Sequence, residues 1–397
     1  EGRLKACFIG VRNGADNHLD LVVKGNEKVL AARLADAKFF YDEDLRTELA
    51  DHLPRLDQVV FQEKLGTMGD KVRRLEKLTA ALTELLGHAE HLDTALRTAR
   101  LAKCDLVTQM VYEFPELQGV MGEKYALAQG EEAAVAAGIR EHYMPRFAGD
   151  AVPTTIEGTL VSLADKLDTL VGYFALGKIP TGSQDPFALR RQAQGVVQIL
   201  RQGGYLVSIE KLVGTAAEGY SDPNLGEDQA AALVKFLLAR LRVTLLEQGY
   251  SYDIVDAALA SDDDQIPSLL NRVRALSDFR EGELFEDLII GFERVANLAA
   301  KAEVDTLEKD AFLPADAEFH TSVQELEKTC LPLVEQGDFQ GVLQQLAGFR
   351  RQVDRFFDQV MIMDEDPVVR SNRLAMLKQA LKLYRLCGDL RLVVSNK

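Results

Sequence analysis

Apolar residues recur at three- and four-residue spacing along most of this chain. That spacing limits it to folds built mainly from packed helices. Leu75, Leu78, Leu82, Leu85 and Leu86 fall on one stripe, and Leu233, Phe236, Leu237, Leu241 and Leu245 on another. Val342, Leu346, Phe349, Val353 and Phe356 make a third, followed by Leu374, Leu377, Leu381 and Tyr384. The absence of Trp and the abundance of Leu, Ala, Glu and Arg favour helices too. Strand-like runs occur only near the start. Residues 4–11 end at the turn signal Asn13-Gly14, and residues 19–23 at Gly25-Asn26. From Glu27 to about Asp51 the pattern becomes helical.

Breaks in the periodicity suggest four segments. Residues 1–70 read as the α/β end of a truncated N-terminal domain. The chain opens at Glu1 rather than Met, almost directly on a strand-like run, so a preceding part is expected to be missing. Residues 71–178 read as an all-helical unit, and 178–183 as a turn-rich hinge. Asp185-Pro186 is expected to open the next helix, because Asp caps free backbone N–H groups and Pro is tolerated in a first turn. Residues 179–275 form a connecting helical region in which Gly203-Gly204 reads as a helix stop, not a phosphate loop. Residues 276–397 form a last helical block. With 397 residues, 47% of them hydrophobic, the chain is long enough for several cores.

Several function classes drop out on composition. No apolar run reaches the roughly 20 residues needed to cross a bilayer, and no secretion signal is visible, so a cytoplasmic protein is expected. Cys7, Cys104, Cys330 and Cys387 are too scattered for a zinc site or a disulfide framework and read as reduced thiols. The net charge of −16 argues against general affinity for nucleic acid. The charge is uneven, however. Residues 250–349 hold 21 Asp and Glu against 7 Lys and Arg, whereas residues 350–397 hold 10 Lys and Arg against 6 Asp and Glu. A basic end on an acidic body can make a localised polyanion site, although ordinary solvated helix faces would look the same.

The most specific stretch is residues 356–377. The pair Phe356-Phe357 closes one helix, an apolar and acidic link with Met361, Met363 and Asp364 follows, and Asp366-Pro367 opens the next. This block resembles the helical anticodon-binding domain of arginyl-tRNA synthetases and of the β subunit of bacterial-type glycyl-tRNA synthetase. Further segments resemble the latter family, in its order along the chain. They include residues 25–30 with 33–37, 61–67 (Phe-Gln-Glu-Lys-Leu-Gly-Thr), 101–106, 113–119 (Glu-Phe-Pro-Glu-Leu-Gln-Gly), 164–170 and 185–191 (Asp-Pro-Phe-Ala-Leu-Arg-Arg). Together they span nearly the whole chain and favour the glycyl family over the arginyl one. The resemblance implies an α2β2 enzyme whose α subunit activates glycine with ATP and Mg. The β subunit would recognise glycine tRNA, with no catalytic residue and no cofactor in this part of it. It also implies that 71–178 is an HD-like domain and 276–397 the anticodon-binding domain.

An active HD phosphohydrolase site would need a His-Asp dipeptide with a separate His and a distant Asp around a divalent metal. This chain offers Asp105 in Lys103-Cys104-Asp105, with Asp165 or Asp168 as the distant acid, and has no His-Asp dipeptide. The Lys103 ammonium would oppose a cation. His88, His91 and His142 match no defensible ligand spacing, and ordinary core or surface histidines are the simpler reading. A degenerate HD domain without metal is therefore expected, in which Asp105 and Asp168 could pair with Lys103 or Lys166. Asp185 with Arg190-Arg191 reads as a helix cap and an interface ion pair.

In the last helix, a rotation of about 100° per residue sorts the basic side chains. With Leu374, Leu377 and Leu381 as the buried stripe, Arg370 falls near its centre and is expected to be structural. Lys378, Lys382 and Arg385 share one flank and Arg373 takes the other. Those four, extended by Arg350, Arg351 and Arg355 on the preceding helix, are the candidate RNA-binding residues. Tyr384 is expected in the core. Two alternative readings stand beside a tRNA-recognising subunit: a metal-dependent HD phosphohydrolase fused to an RNA-binding domain, and a helical scaffold for partner proteins.

Overall fold

The computed structural model describes residues 5–14, 17–182, 184–303 and 306–394. The protein is mainly α-helical, as the periodicity requires. Among the described residues, the strands are a small antiparallel pair, Val60–Gln62 with Gly66–Thr67. The strand expectations at the start fail. Residues 5–11 have no regular secondary structure, and residues 19–23 are the first turns of a helix, Leu19–Asp44. A strand is stable only when a neighbour pairs its backbone. With none among the described residues, residues 19–23 satisfy their N–H and C=O groups along the helix, and residues 5–11 stay irregular. No helix among the described residues is long and apolar enough to cross a membrane.

The chain divides into two compact units. The first comprises Glu1–Thr83, Ala89–Tyr143 and Pro153–Ser162. Its core holds Leu49, Leu56, Val72, Leu101, Met110, Met121, Tyr125 and Ile139, all buried. Buried carboxylates tie its short helices together. Asp44, at the end of the long first helix, accepts the backbone N–H groups of Gln109 and Met110, both at 2.9 Å, and the Tyr125 hydroxyl at 2.8 Å. Glu141 accepts the backbone N–H and hydroxyl of both Thr154 and Thr155. Each carboxylate satisfies backbone donors that helix starts and turns leave unpaired.

The second unit comprises Glu84–His88, Met144–Val152 and Leu163–Lys397. Leu233, Leu237, Leu241 and Leu245 are buried along Glu227–Glu247 as the stripe predicts, with Phe236 half-buried against Phe174. The helix expected at Asp185-Pro186 begins later, at Leu189. Asp185 still caps it, accepting the N–H groups of Leu189 and Arg190 at 2.8 and 2.9 Å. Arg190 donates to the Gly182 carbonyl at 2.6 Å, closing the hinge on itself. Gly204 ends that helix in the left-handed conformation, φ 66°, as a helix stop requires.

The final bundle packs Phe285–Ala299, Pro314–Glu335, Phe339–Gly348, Arg350–Gln359 and Pro367–Tyr384 together. The stripe from Val342 to Phe356 is buried throughout, but it runs over two helices that meet at Phe349. Phe356 stacks flat on Phe319, ring centroids 4.1 Å apart. Asp366 caps the last helix by accepting from Val368 and Val369, with Pro367 in the first turn, as the sequence predicts.

Candidate nucleic-acid interface

The last helix is buried on a wider face than its leucines suggest. Phe285–Ala299 and Pro314–Glu335 both pack against it. Asn372, Arg373, Leu374, Ala375, Met376, Leu377, Ala380, Leu383 and Tyr384 are all buried, whereas Leu381 is only half-buried. The buried structural arginine is therefore Arg373 more than Arg370. Arg373 is 2% exposed and is not on an RNA-accessible flank. Its Nε donates to Asp316 at 2.8 Å, and its Nη1 to Asp364 at 2.8 Å and to the Met361 carbonyl at 2.9 Å. Asp316 in turn accepts the Leu313 N–H at 3.0 Å, at the start of its helix. One guanidinium thus fastens the link of residues 361–364 to two helices. Arg370, half-buried, makes a single bond to the Asp364 carbonyl at 2.8 Å.

Lys378, Lys382 and Arg385 do come together. With Arg391, from the turn Leu390–Leu392, they line a groove of about 250 Å³ floored by Leu381, Ala296, Ala299 and Ala300. Lys382, Arg385 and Arg391 are exposed and Lys378 is half-buried. Among the described residues, no acidic side chain lines the groove. Asp389 stands just outside it, bonded to Arg391 Nε at 2.8 Å. Two helices end here, so the basic rim also offsets their terminal carbonyls. The alanine methyls give the groove an apolar floor beneath a cationic rim. Sequence reasoning missed Arg391, which sits beyond the helix where periodicity says nothing. The small-residue cluster at 296, 299 and 300 was the available signal.

The preceding helix does not simply extend this face. Arg350 is held by ion pairs to Asp287 and Asp354. Arg355 pairs with Glu318 at 2.6 Å and lines a separate groove with Phe319 and Gln352. That pair is solvent-exposed, so it is worth little and opens readily. Arg351 is exposed.

The HD positions also resolve into structural roles. Asp105 is fully buried, and its Oδ2 accepts the N–H groups of Gly119 at 2.5 Å and Gly122 at 3.1 Å. It thereby supplies the start of the Val120–Ala128 helix with an acceptor. Lys103, 3% exposed, places its ammonium 4.2 Å from the Tyr143 ring centroid. Asp165 and Asp168 are buried in the other compact unit. There the Lys166 ammonium donates to the Met144 carbonyl at 2.9 Å, and the Asp168 carbonyl accepts from the Tyr220 hydroxyl at 3.1 Å. His91 Nδ1 stands 2.9 Å from Glu157, and His142 Nδ1 faces the Ile139 carbonyl. Among the described residues no group of three or more His, Cys, Asp or Glu is placed to hold a metal ion.

Burial pushes the Asp105 carboxyl up to about 6, against the pull of the two amides and of Lys103. Its Oδ1 has no hydrogen-bond partner among the described residues. Between about pH 4 and 6 the folded protein keeps a proton there that the unfolded chain has released. The stability this group contributes therefore falls as pH rises through that window. Asp105→Asn should flatten the dependence of thermal unfolding on pH between 4 and 6. Asp105→Ala, which orphans two buried amides, should cost about 2 kcal/mol. An Asn variant with the wild-type pH profile would show that Asp105 does not titrate there.

Residues 1–260 match the family described as glycyl-tRNA synthetase beta subunit. The glycine–tRNA ligase beta subunit of Moorella thermoacetica is 47% identical over 400 residues, 98% of this chain and 57% of that protein. Its counterpart in Desulforamulus reducens is 44% identical over 405 residues, and that of Clostridioides difficile 42% over 397, each covering 99% or more of this chain and 58% of the relative. The chain therefore belongs to the glycyl-tRNA synthetase beta subunit family, and the resemblance carried by its sequence segments is borne out. It spans a little under three fifths of the length of these relatives.

Proposed function

We propose that this chain is the tRNA-recognising part of a glycine–tRNA ligase, holding tRNA while a separate α subunit activates glycine with ATP and Mg. Family membership supports this reading, and the groove of Lys378, Lys382, Arg385 and Arg391 carries it, as a cationic site in a chain of net charge −16. The proposed α2β2 assembly acts in the cytoplasm. Within the chain, residues 71–178 serve as a metal-free HD-like scaffold and 276–397 as the anticodon-binding domain, behind the N-terminal segment 1–70 and the connector 179–275. Arg351, and Arg355 once it leaves its exposed pair with Glu318, add outlying phosphate contacts, while Arg350 and Arg373 are withdrawn from the RNA-binding set because less exposed carboxylate pairs hold them. No observation favours the phosphohydrolase alternative.

The test is filter binding of glycine tRNA to the protein. Saturable, salt-sensitive binding is expected, and no retention of tRNA would contradict the reading. The same preparation should show no glycine-dependent pyrophosphate exchange without the α subunit. Exchange by this chain alone would move the active site into it.

A further inference from the structure

A second cationic cleft lies away from the alanine-floored groove, in a region that the sequence reading treated only as a connector. It has a volume of about 300 Å³ and joins Arg201 and Gln202 at the end of Leu189–Gly203, Gln248 after Glu227–Glu247, and Asn271 and Arg274 on Ile266–Arg280. Every polar side chain lining it is an arginine or an amide, and no carboxylate does so among the described residues. That composition stands out in a chain with 62 acidic residues against 46 basic ones. On the same helix as Arg274, Arg272 pairs with Asp263 at 2.6 Å and Arg280 with Asp253 at 3.2 Å. Among the described residues, Arg201 and Arg274 have no ion-pair, hydrogen-bond or ring partner. Arg201 is half-buried and Arg274 is exposed.

Two arginines and three amide side chains lining one cleft match the chemistry of a phosphate group. Arginine forks grip its oxygens in pairs, and Gln and Asn can donate to the remaining oxygens or to a ribose hydroxyl. The cleft offers no aromatic ring for a base to stack on, so it suits the sugar–phosphate backbone and not base reading. We propose that Arg201 and Arg274 clamp one backbone phosphate of the same tRNA, as a second contact outside the anticodon-binding domain. This rests on the functional reading above. Free inorganic phosphate shares the chemistry and is the competing source.

The experiment measures tRNA affinity of the full chain against salt for Arg201→Gln/Arg274→Gln. It is compared with the charge-matched control Arg100→Gln/Arg191→Gln, which removes two exposed arginines outside the cleft. Thermal unfolding of each variant establishes that the fold is kept. One lost phosphate contact should reduce the slope of log affinity against log salt by about 0.7 to 0.9, relative to the control. A cleft variant that matches the control overturns the proposal. So does a cleft that binds inorganic phosphate in calorimetry while its variant leaves tRNA affinity unchanged. Lys378→Ala/Lys382→Ala/Arg385→Ala, run in parallel, separates the two readings. If that variant loses affinity and the cleft variant does not, the cleft fails and the tRNA reading stands. If only the cleft variant loses affinity, the clamp stands and the alanine-floored groove fails. If the unaltered protein binds no tRNA, both fail.

Discussion

Arg373→Ala should destabilise the second compact unit by about 3–5 kcal/mol, the range for removing one partner of a buried ion pair. The side chains of Arg373 and Asp316 are 3% and 1% exposed. Removing the guanidinium leaves the Asp316 carboxylate buried with only the Leu313 N–H, and frees the Met361 carbonyl and Asp364 from the last helix. Arg370→Ala removes one bond to a backbone carbonyl from a half-exposed side chain and should cost about 1 kcal/mol. Urea unfolding of both variants makes the comparison. Equal losses, or a larger loss for Arg370→Ala, would contradict the assignment of the buried clasp.

Lys378→Ala/Lys382→Ala/Arg385→Ala should weaken tRNA binding by ten- to a hundredfold at low salt and leave stability nearly unchanged. If each side chain meets one phosphate on single-stranded RNA, the salt slope falls by about 2, at roughly 0.7 per phosphate. The loss should shrink as salt rises, because screening weakens what remains in the unaltered protein. Lys382 and Arg385 are exposed, so little packing depends on them. A variant that binds tRNA like the unaltered protein at every salt concentration would remove this groove from the RNA-binding surface.

What the sequence revealed and what it hid divides by range. Asp366 with Pro367, Asp185 and Gly204 act within a few residues, and their capping roles were legible because local backbone geometry dictates the side chain. The buried stripe from Val342 to Phe356 was legible for the same reason, although its break at Phe349 was not. Arg373 was misplaced because its partner Asp316 lies 57 residues upstream, and an arginine destined for burial looks like any other. Assuming a single apolar face also failed, since two helices bury the last one from different sides and push Leu381 to the groove. Arg350 was lost to Asp287, 63 residues away. Asp105 was singled out as a degenerate HD position without metal, expected to pair with Lys103 or Lys166. Its work is to receive the Gly119 and Gly122 amides, a role visible only once the chain has turned back on itself. The strand-like opening failed because strand propensity has no effect without a partner strand.

The central claim separates tRNA recognition from glycine activation, and one measurement reads both. The protein is combined with the proposed α subunit, and charging of tRNA with glycine is compared with glycine-dependent pyrophosphate exchange, for the unaltered chain and for Lys378→Ala/Lys382→Ala/Arg385→Ala. The predicted result is a raised KM for tRNA, and a fall in charging kcat/KM of at least tenfold, with pyrophosphate exchange unchanged. Unaltered charging, or a parallel loss of exchange, would contradict the account.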